Sequence, residues 1–149
     1  MTAVIRREDR RTPPTELDGE HRTVVVVGGG QAGLSMSRCL DVRGIDHLVL
    51  ERDVVASSWK RHRWDTFSLV TPNWQCDLPD FPYAGPDPHG FMVRDEIVDY
   101  LEAYRAFVDP PLLEGVAVTR LHRDDRGTFV VETSAGTCTA DQVVVATGT

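Results

Sequence analysis

Four consecutive valines, Val24 to Val27, run directly into Gly28-Gly29-Gly30-Gln31-Ala32-Gly33, and no other feature constrains the chain as much. A continuous β-branched run suits a strand buried on both faces of a parallel sheet. Leu34, Met36, Ser37, Leu40 and Val42 then recur at helical spacing, and Arg43-Gly44 is a helix stop. His47-Leu48-Val49-Leu50 reads as a second strand closed by Glu51. Strand, glycine turn, helix and strand make one βαβ unit. Within that unit Gly28-x-Gly30-x-x-Gly33 becomes a dinucleotide-binding fingerprint. Gly28 permits the tight turn, Gly30 lets backbone N–H groups approach a pyrophosphate, and Gly33 lets the helix pack closely on the strand. The helix N-terminus offers free N–H groups and a partial positive charge to phosphates. Glu51 lies 23 residues after Gly28. A carboxylate there accepts hydrogen bonds from ribose hydroxyls and repels a 2′-phosphate, which favours FAD or NAD over NADP at this site. Arg52 is left either along the adenine or ribose, or in solvent.

The chain has 149 residues, a net charge of −7 and 41% hydrophobic residues. That supplies one domain with a core, not two full ones. Dispersed acidity argues against a nucleic-acid or anionic-membrane surface. No apolar run is long enough to span a bilayer, and no secretory signal is visible. Cys39, Cys76 and Cys138 are sparse and odd in number, which suits a reduced cytoplasmic protein. No His/Cys/carboxylate cluster has metal-ligand spacing. Residues 1–22 are expected to be a disordered charged tail, since Arg6-Arg7-Glu8-Asp9-Arg10-Arg11 and Pro13-Pro14 bury too little apolar surface to offset ordering entropy. Residues 23–149 are expected to form one domain.

Residues 52–93 carry Trp59, Trp64 and Trp74 and five of the nine prolines, with no clear periodicity. Asp95 to Val108 returns to a helical stripe that Pro110-Pro111 ends. Short strands are expected at Val116 to Leu121, Phe129 to Thr133 and Thr137 to Thr139, joined by turn-forming Asp, Ser and Gly. A last strand, Gln142 to Ala146, leads into Thr147-Gly148-Thr149.

This order of elements resembles the FAD-binding half of flavoproteins with two dinucleotide-binding domains, and it separates FAD from NAD. A purely NAD-binding half would continue through further βα units. Ala56-Ser57-Ser58-Trp59-Lys60, the stretch Phe91 to Leu101 and the closing Ala146-Thr147-Gly148 sharpen the likeness to the N-terminal part of class B flavin-dependent monooxygenases. That group comprises the flavin-containing, YUCCA-like and Baeyer–Villiger enzymes. The resemblance covers residues 23–149. It implies an α/β fold: a Rossmann-like FAD-binding domain with a parallel sheet, a βαβ glycine turn and a small antiparallel β-meander.

The resemblance also implies roles. Gly28, Gly30, Gln31, Ala32 and Gly33 would hold the FAD pyrophosphate, and Glu51 the adenosine ribose with Arg52 beside it. Ser58 and Trp59 would meet the pyrophosphate and flavin region. Val118 would meet the adenine through its backbone, and Thr147 and Gly148 would form the final turn. Trp59 has a packing reading too, because large aromatics in irregular segments often serve packing; Trp64 and Trp74 are read as packing residues. Asn73 is a catalytic candidate by residue type, although Thr71-Pro72-Asn73 departs from the family's Thr-Asn spacing. No catalytic residue is assigned. In the full-length family NADPH reduces FAD, and a flavin hydroperoxide passes oxygen to a small-molecule substrate. The NADPH site of the family follows the Ala-Thr-Gly turn and is not in this chain. The expected function is therefore the FAD-binding portion of an NAD(P)H-dependent flavoprotein monooxygenase. The alternative is a non-catalytic FAD- or NAD-binding module, or a vestigial fragment. Association through the face that a second domain normally covers is also expected. The absence of a Cys-x-x-x-x-Cys pair argues against disulfide reductases of similar build.

Overall fold

The computed structural model describes residues 12–62 and 64–148, with nothing stated of the His62 side chain. Its elements are β1 (His21–Val27), α1 (Gln31–Val42), β2 (His47–Leu50), α2 (Ser57–His62), a 3-10 turn (Asn73–Gln75), β3 (Asp77–Leu78), β4 (Phe81–Pro82), α3 (Arg94–Val108), β5 (Leu112–Leu113), β6 (Val118–Arg123), β7 (Phe129–Thr133) and β8 (Gly136–Val145). Six strands form one sheet in the order β5-β2-β1-β8-β7-β6, and β3 and β4 make a separate hairpin. The β5, β2, β1 and β8 pairs are parallel, and β8, β7 and β6 are antiparallel. The expected α/β class, parallel sheet and meander are all present.

The valine run behaves as its composition requires. Val25 packs into a core with Leu48, Val131 and Cys138, while Val24 and Val26 face Leu40 and Val49 in another. Both faces of the Val24–Val27 run are thereby covered, which is why no polar residue interrupts those four positions. A third core joins Leu34 to Ile97, Val98, Leu101, Tyr104 and Val108 on one stripe of α3. Each such fully buried side chain contributes about 1.5–3 kcal/mol. The α3 helix begins where Glu96 accepts the Val93 N–H at 2.9 Å. It ends at Asp109, whose φ of 46° is left-handed, ahead of the two prolines.

Three boundaries differ from the sequence expectation. Residues 1–11 lie outside the described residues, but the packed chain begins before Thr23. Leu17 is buried in the sheet core, and β1 starts at His21. Arg22, also buried, is held there by Glu20 at 2.6 Å and Asp46 at 3.1 Å, so a charged residue joins the fold by being paired. The strands expected at Thr137 to Thr139 and Gln142 to Ala146 are one ten-residue strand. Thr139 and Ala140 are paired on both sides, to β1 and to β7, which carries the strand through polar Asp141-Gln142. The irregular segment contains α2, whose six residues are too few to display a period. No helix among the described residues is long and apolar enough to cross a membrane.

A buried polar pair ties α1 to β2. His47 Nδ1 donates to the Ile45 carbonyl at 3.0 Å, so Nε2 is the acceptor for the Ser37 hydroxyl at 2.7 Å. Burial lowers the His47 pKa from its ordinary value, outweighing the nearby carboxylates of Asp41 and Asp46. The unfolded chain therefore binds the extra proton more readily than the folded one. The stabilisation is complete above about pH 6.5 and is lost as the pH falls from there towards the lowered folded value. Thermal melts at pH 7.5 and 5.5 should show a drop in Tm at the lower pH that is smaller in His47→Asn. An equal drop in both proteins would remove His47 from the pH dependence.

Candidate functional site

The carboxyl ends of β1, β2 and β8 converge because the parallel register aligns Val27 with Leu50 on one side and with Val145 on the other. β1 continues into Gly28, whose N–H donates to the Leu50 carbonyl at 2.8 Å, while Ala146 N–H donates to Val27 O at 2.8 Å. The chain leaves β1 for a helix between two strands that depart in different directions, the point at which open α/β sheets bind ligands. A cleft of about 690 Å³ opens there. Its walls include Gly28, Gly30, Gln31, Ala32, Glu51, Arg52, Ser58, Trp59, Thr147 and Gly148. Ten residues singled out from the sequence, spread over 121 positions, are thus brought to one site.

The glycines divide by role. A Cβ on Gly28, whose φ is 111°, would lie 2.3 Å from the Ala146 carbonyl oxygen. A Cβ on Gly33 would lie 1.8 Å from the Gly28 oxygen. These two positions are closed by the protein itself, and Gly33 does not line the cleft. Gly30 differs, since a Cβ there would meet nothing within 4 Å. It is the N-cap of α1, with no side-chain cap and no acidic residue in the first turn. The first intrahelical bond from this cap is Leu34 N–H to Gly30 O at 2.9 Å, so the first-turn N–H groups ahead of it have no helical acceptor, and Gly30, Gln31 and Ala32 line the cleft.

Glu51 forms the opposite rim. One carboxylate oxygen accepts the Gly29 N–H at 2.7 Å and the other the Asp53 N–H at 2.9 Å. A carboxylate has about four acceptor sites, so each oxygen retains one for a hydroxyl. The two backbone bonds fix the carboxylate in place at the end of β2. Arg52 is exposed beside it. Arg61 turns instead to Asp53, at 2.5 Å.

Trp59 is half-buried at the start of α2, where Ala56 adopts φ 62° and its carbonyl accepts the Trp59 and Lys60 N–H groups. It lines the cleft and also packs against the α3 core, so both of its readings have a contact behind them. Trp64 and Trp74 do not fit the expected packing role, at 63% and 57% exposure. Their segment is anchored by other side chains, with Phe67, Leu69, Cys76 and Leu78 packed on the α3 core and Asp65 ion-paired with Arg94. Asn73 is buried, and its amide is used structurally: Nδ2 donates to Asp87 O at 2.9 Å and Oδ1 accepts the Met92 N–H at 2.7 Å. It does not line the cleft. Val118 also lies away from the cleft wall, against the sheet core. The segment leading into its strand is tied to the rim through Val116 N–H, which donates to Glu51 O at 2.9 Å. Ser35 and Val54 line the cleft without having been singled out, and Ala56 and Ser57 line it after entering only as part of the Ala56–Lys60 motif, with no site role given. Ser35 was accessible, one helical turn beyond Gln31; the left-handed Ala56 has no sequence signature.

The profile of the pyridine nucleotide-disulphide oxidoreductases matches residues 25–149. The chain belongs to that family. Within it, the chain is similar to the N-terminal portion of flavin monooxygenases. It is 37% identical over 125 residues to an uncharacterized CzcO-like oxidoreductase of Geobacillus kaustophilus, covering 84% of this chain and 35% of the relative. It is 32% identical over 126 residues to a probable indole-3-pyruvate monooxygenase, YUCCA4, of Arabidopsis thaliana, covering 83% of this chain and 30% of that one. Among solved structures, a flavin-containing monooxygenase from Stenotrophomonas maltophilia superposes with a TM-score of 0.76 at 28% identity, covering 87% of this chain and 39% of that chain. The chain spans about a third of the length of the curated relatives.

Proposed function

We propose that this chain is the FAD-binding portion of an NAD(P)H-dependent flavoprotein monooxygenase acting on a small molecule. One observation carries the reading: an uncapped helix N-terminus with an open Gly30 faces a fixed Glu51 carboxylate with acceptor sites to spare. That donor set matches a pyrophosphate joined to a ribose with two free hydroxyls. In this reading the N–H groups of Gln31 and Ala32 hold the pyrophosphate, and Gly33, off the cleft wall, serves by letting α1 pack closely on β1. Glu51 orients the ribose, and Arg52 lies along the adenosine. Val118 lies off the cleft wall, and it is Val116, just before its strand, that bonds to the rim. Ser58 and Trp59 flank the far end of the dinucleotide, with Thr147 and Gly148 closing the wall opposite. Bound flavin would supply the redox and oxygen chemistry; the protein's part is to orient it and keep water away. NADPH would be taken by a second site; a structural neighbour of the same fold was solved in complex with both FAD and NADP. Free thiols at Cys39, Cys76 and Cys138 suit a reducing cytoplasm.

Titrating the purified chain with FAD, NAD and NADP tests this reading. FAD should bind most tightly and with a perturbed flavin absorbance, and NADP should bind most weakly. Tighter binding of NADP than of FAD would overturn the assignment of Glu51.

A further inference from the structure

The dinucleotide reading uses only the inner ring of an aromatic stack that runs out of the cleft. Trp59 lines the cleft and an adjoining pocket of about 250 Å³. Its ring lies 5.6 Å from that of Phe67, and Phe67 lies 5.1 Å from Trp64 in an edge-on arrangement. Trp64 is 63% exposed. Ring contacts therefore lead without a break from the cleft wall to solvent.

Packing accounts for the inner half of this stack, since Trp59 and Phe67 lie against the α3 core. It does not account for Trp64, which gains little burial for so large a side chain. Yet Trp64 is held in place. Phe67 N–H donates to the Trp64 carbonyl at 3.0 Å, Arg94 N–H donates to Phe67 O at 3.0 Å, and Asp65 is ion-paired with Arg94 at the start of α3. The stack is thereby anchored to a long helix at its outer end and to the cleft at its inner end. Indole is among the most easily oxidised side chains and phenyl is not, so the two tryptophans are the redox stations and Phe67 fills the space between them.

We propose that Trp59, Phe67 and Trp64 form an electron-transfer route that quenches one-electron oxidants of the oxygen-radical class in the cleft, each reduced by one electron to its closed-shell anion or hydroxyl form, protecting the site from oxidative damage. This rests on the reading of the cleft as a flavin site. One electron leaves the Trp59 indole and reduces the oxidant. One electron from Trp64 then refills Trp59. The oxidised Trp64 releases its indole proton to water and recovers it when a thiol- or ascorbate-class reductant in solution supplies an electron. Only that reductant is consumed, and no bond in the protein is broken.

The chain saturated with FAD and pulsed with blue light provides the test, because excited oxidised flavin is a one-electron oxidant. Flavin emission should be quenched and a long-lived indole-radical absorbance should follow. Trp64→Phe, an exposed substitution that leaves the fold intact, should retain the quenching and lose the long-lived component. Trp59→Phe should lose the quenching itself. Trp74→Phe, exposed and outside the stack, should change neither signal. A long-lived radical that survives Trp64→Phe, or quenching that survives Trp59→Phe, would overturn the route. Bound FAD with unquenched emission would remove the route alone, whereas a chain that binds no FAD would remove the flavin site and the route together.

Discussion

Gly33→Ala should cost the chain about 3 kcal/mol or more, the upper range for overpacking a close-packed site, and lower its Tm by about 10 °C at this size. The new Cβ would sit 1.8 Å from the Gly28 carbonyl oxygen. Neither partner can withdraw. Gly28 is bonded to Leu50 and pressed against the Ala146 carbonyl, and Leu34, the next residue of α1, is fully buried. Relief requires α1 to lift from β1, which opens the core around Val24, Val26 and Leu40. Melting followed by circular dichroism reads the effect directly. A Tm close to that of the unaltered chain would show that the helix and strand are not in the close contact described here.

Glu51→Ala should weaken FAD binding by about 100-fold. Two hydrogen bonds to a charged acceptor at about 1.5 kcal/mol each give about 3 kcal/mol, and each 1.4 kcal/mol is tenfold in Kd. The substitution also frees the Gly29 and Asp53 N–H groups, so the rim loosens and the preference against a 2′-phosphate relaxes. Calorimetric titration of both proteins with FAD and NADP separates the two effects. An unchanged FAD affinity would show that the ribose does not sit at Glu51.

The parts of the fold written in side-chain period were legible in the sequence. β1 and α1 declare themselves through Val24 to Val27 and the spacing of Leu34 and Leu40, and α3 through its stripe from Ile97 to Val108. The cleft followed, because a glycine turn between a buried strand and an amphipathic helix fixes where Glu51 must arrive. What escaped has no period to show. α2 is six residues long and β5 two. Leu17 joins the core from a segment whose neighbours are polar or charged, and a single apolar residue cannot announce its own burial. The continuity of β8 depends on partners on both sides, which is tertiary information. Asn73 looked like a site residue by type, but only the positions of Asp87 and Met92 reveal that its amide is already engaged. Trp64 shows the converse, since nothing local predicts a tryptophan held largely in solvent.

The central claim is that Gly30 is open for a ligand and not for the fold, and Gly30→Ala tests it most directly. The added methyl meets no protein atom within 4 Å, and the loss of a glycine N-cap costs only about 1 kcal/mol. The variant should therefore melt within a few degrees of the unaltered chain while its affinity for FAD falls at least about tenfold, some 1.4 kcal/mol. A folded Gly30→Ala chain that binds FAD as tightly as the unaltered one would contradict the account.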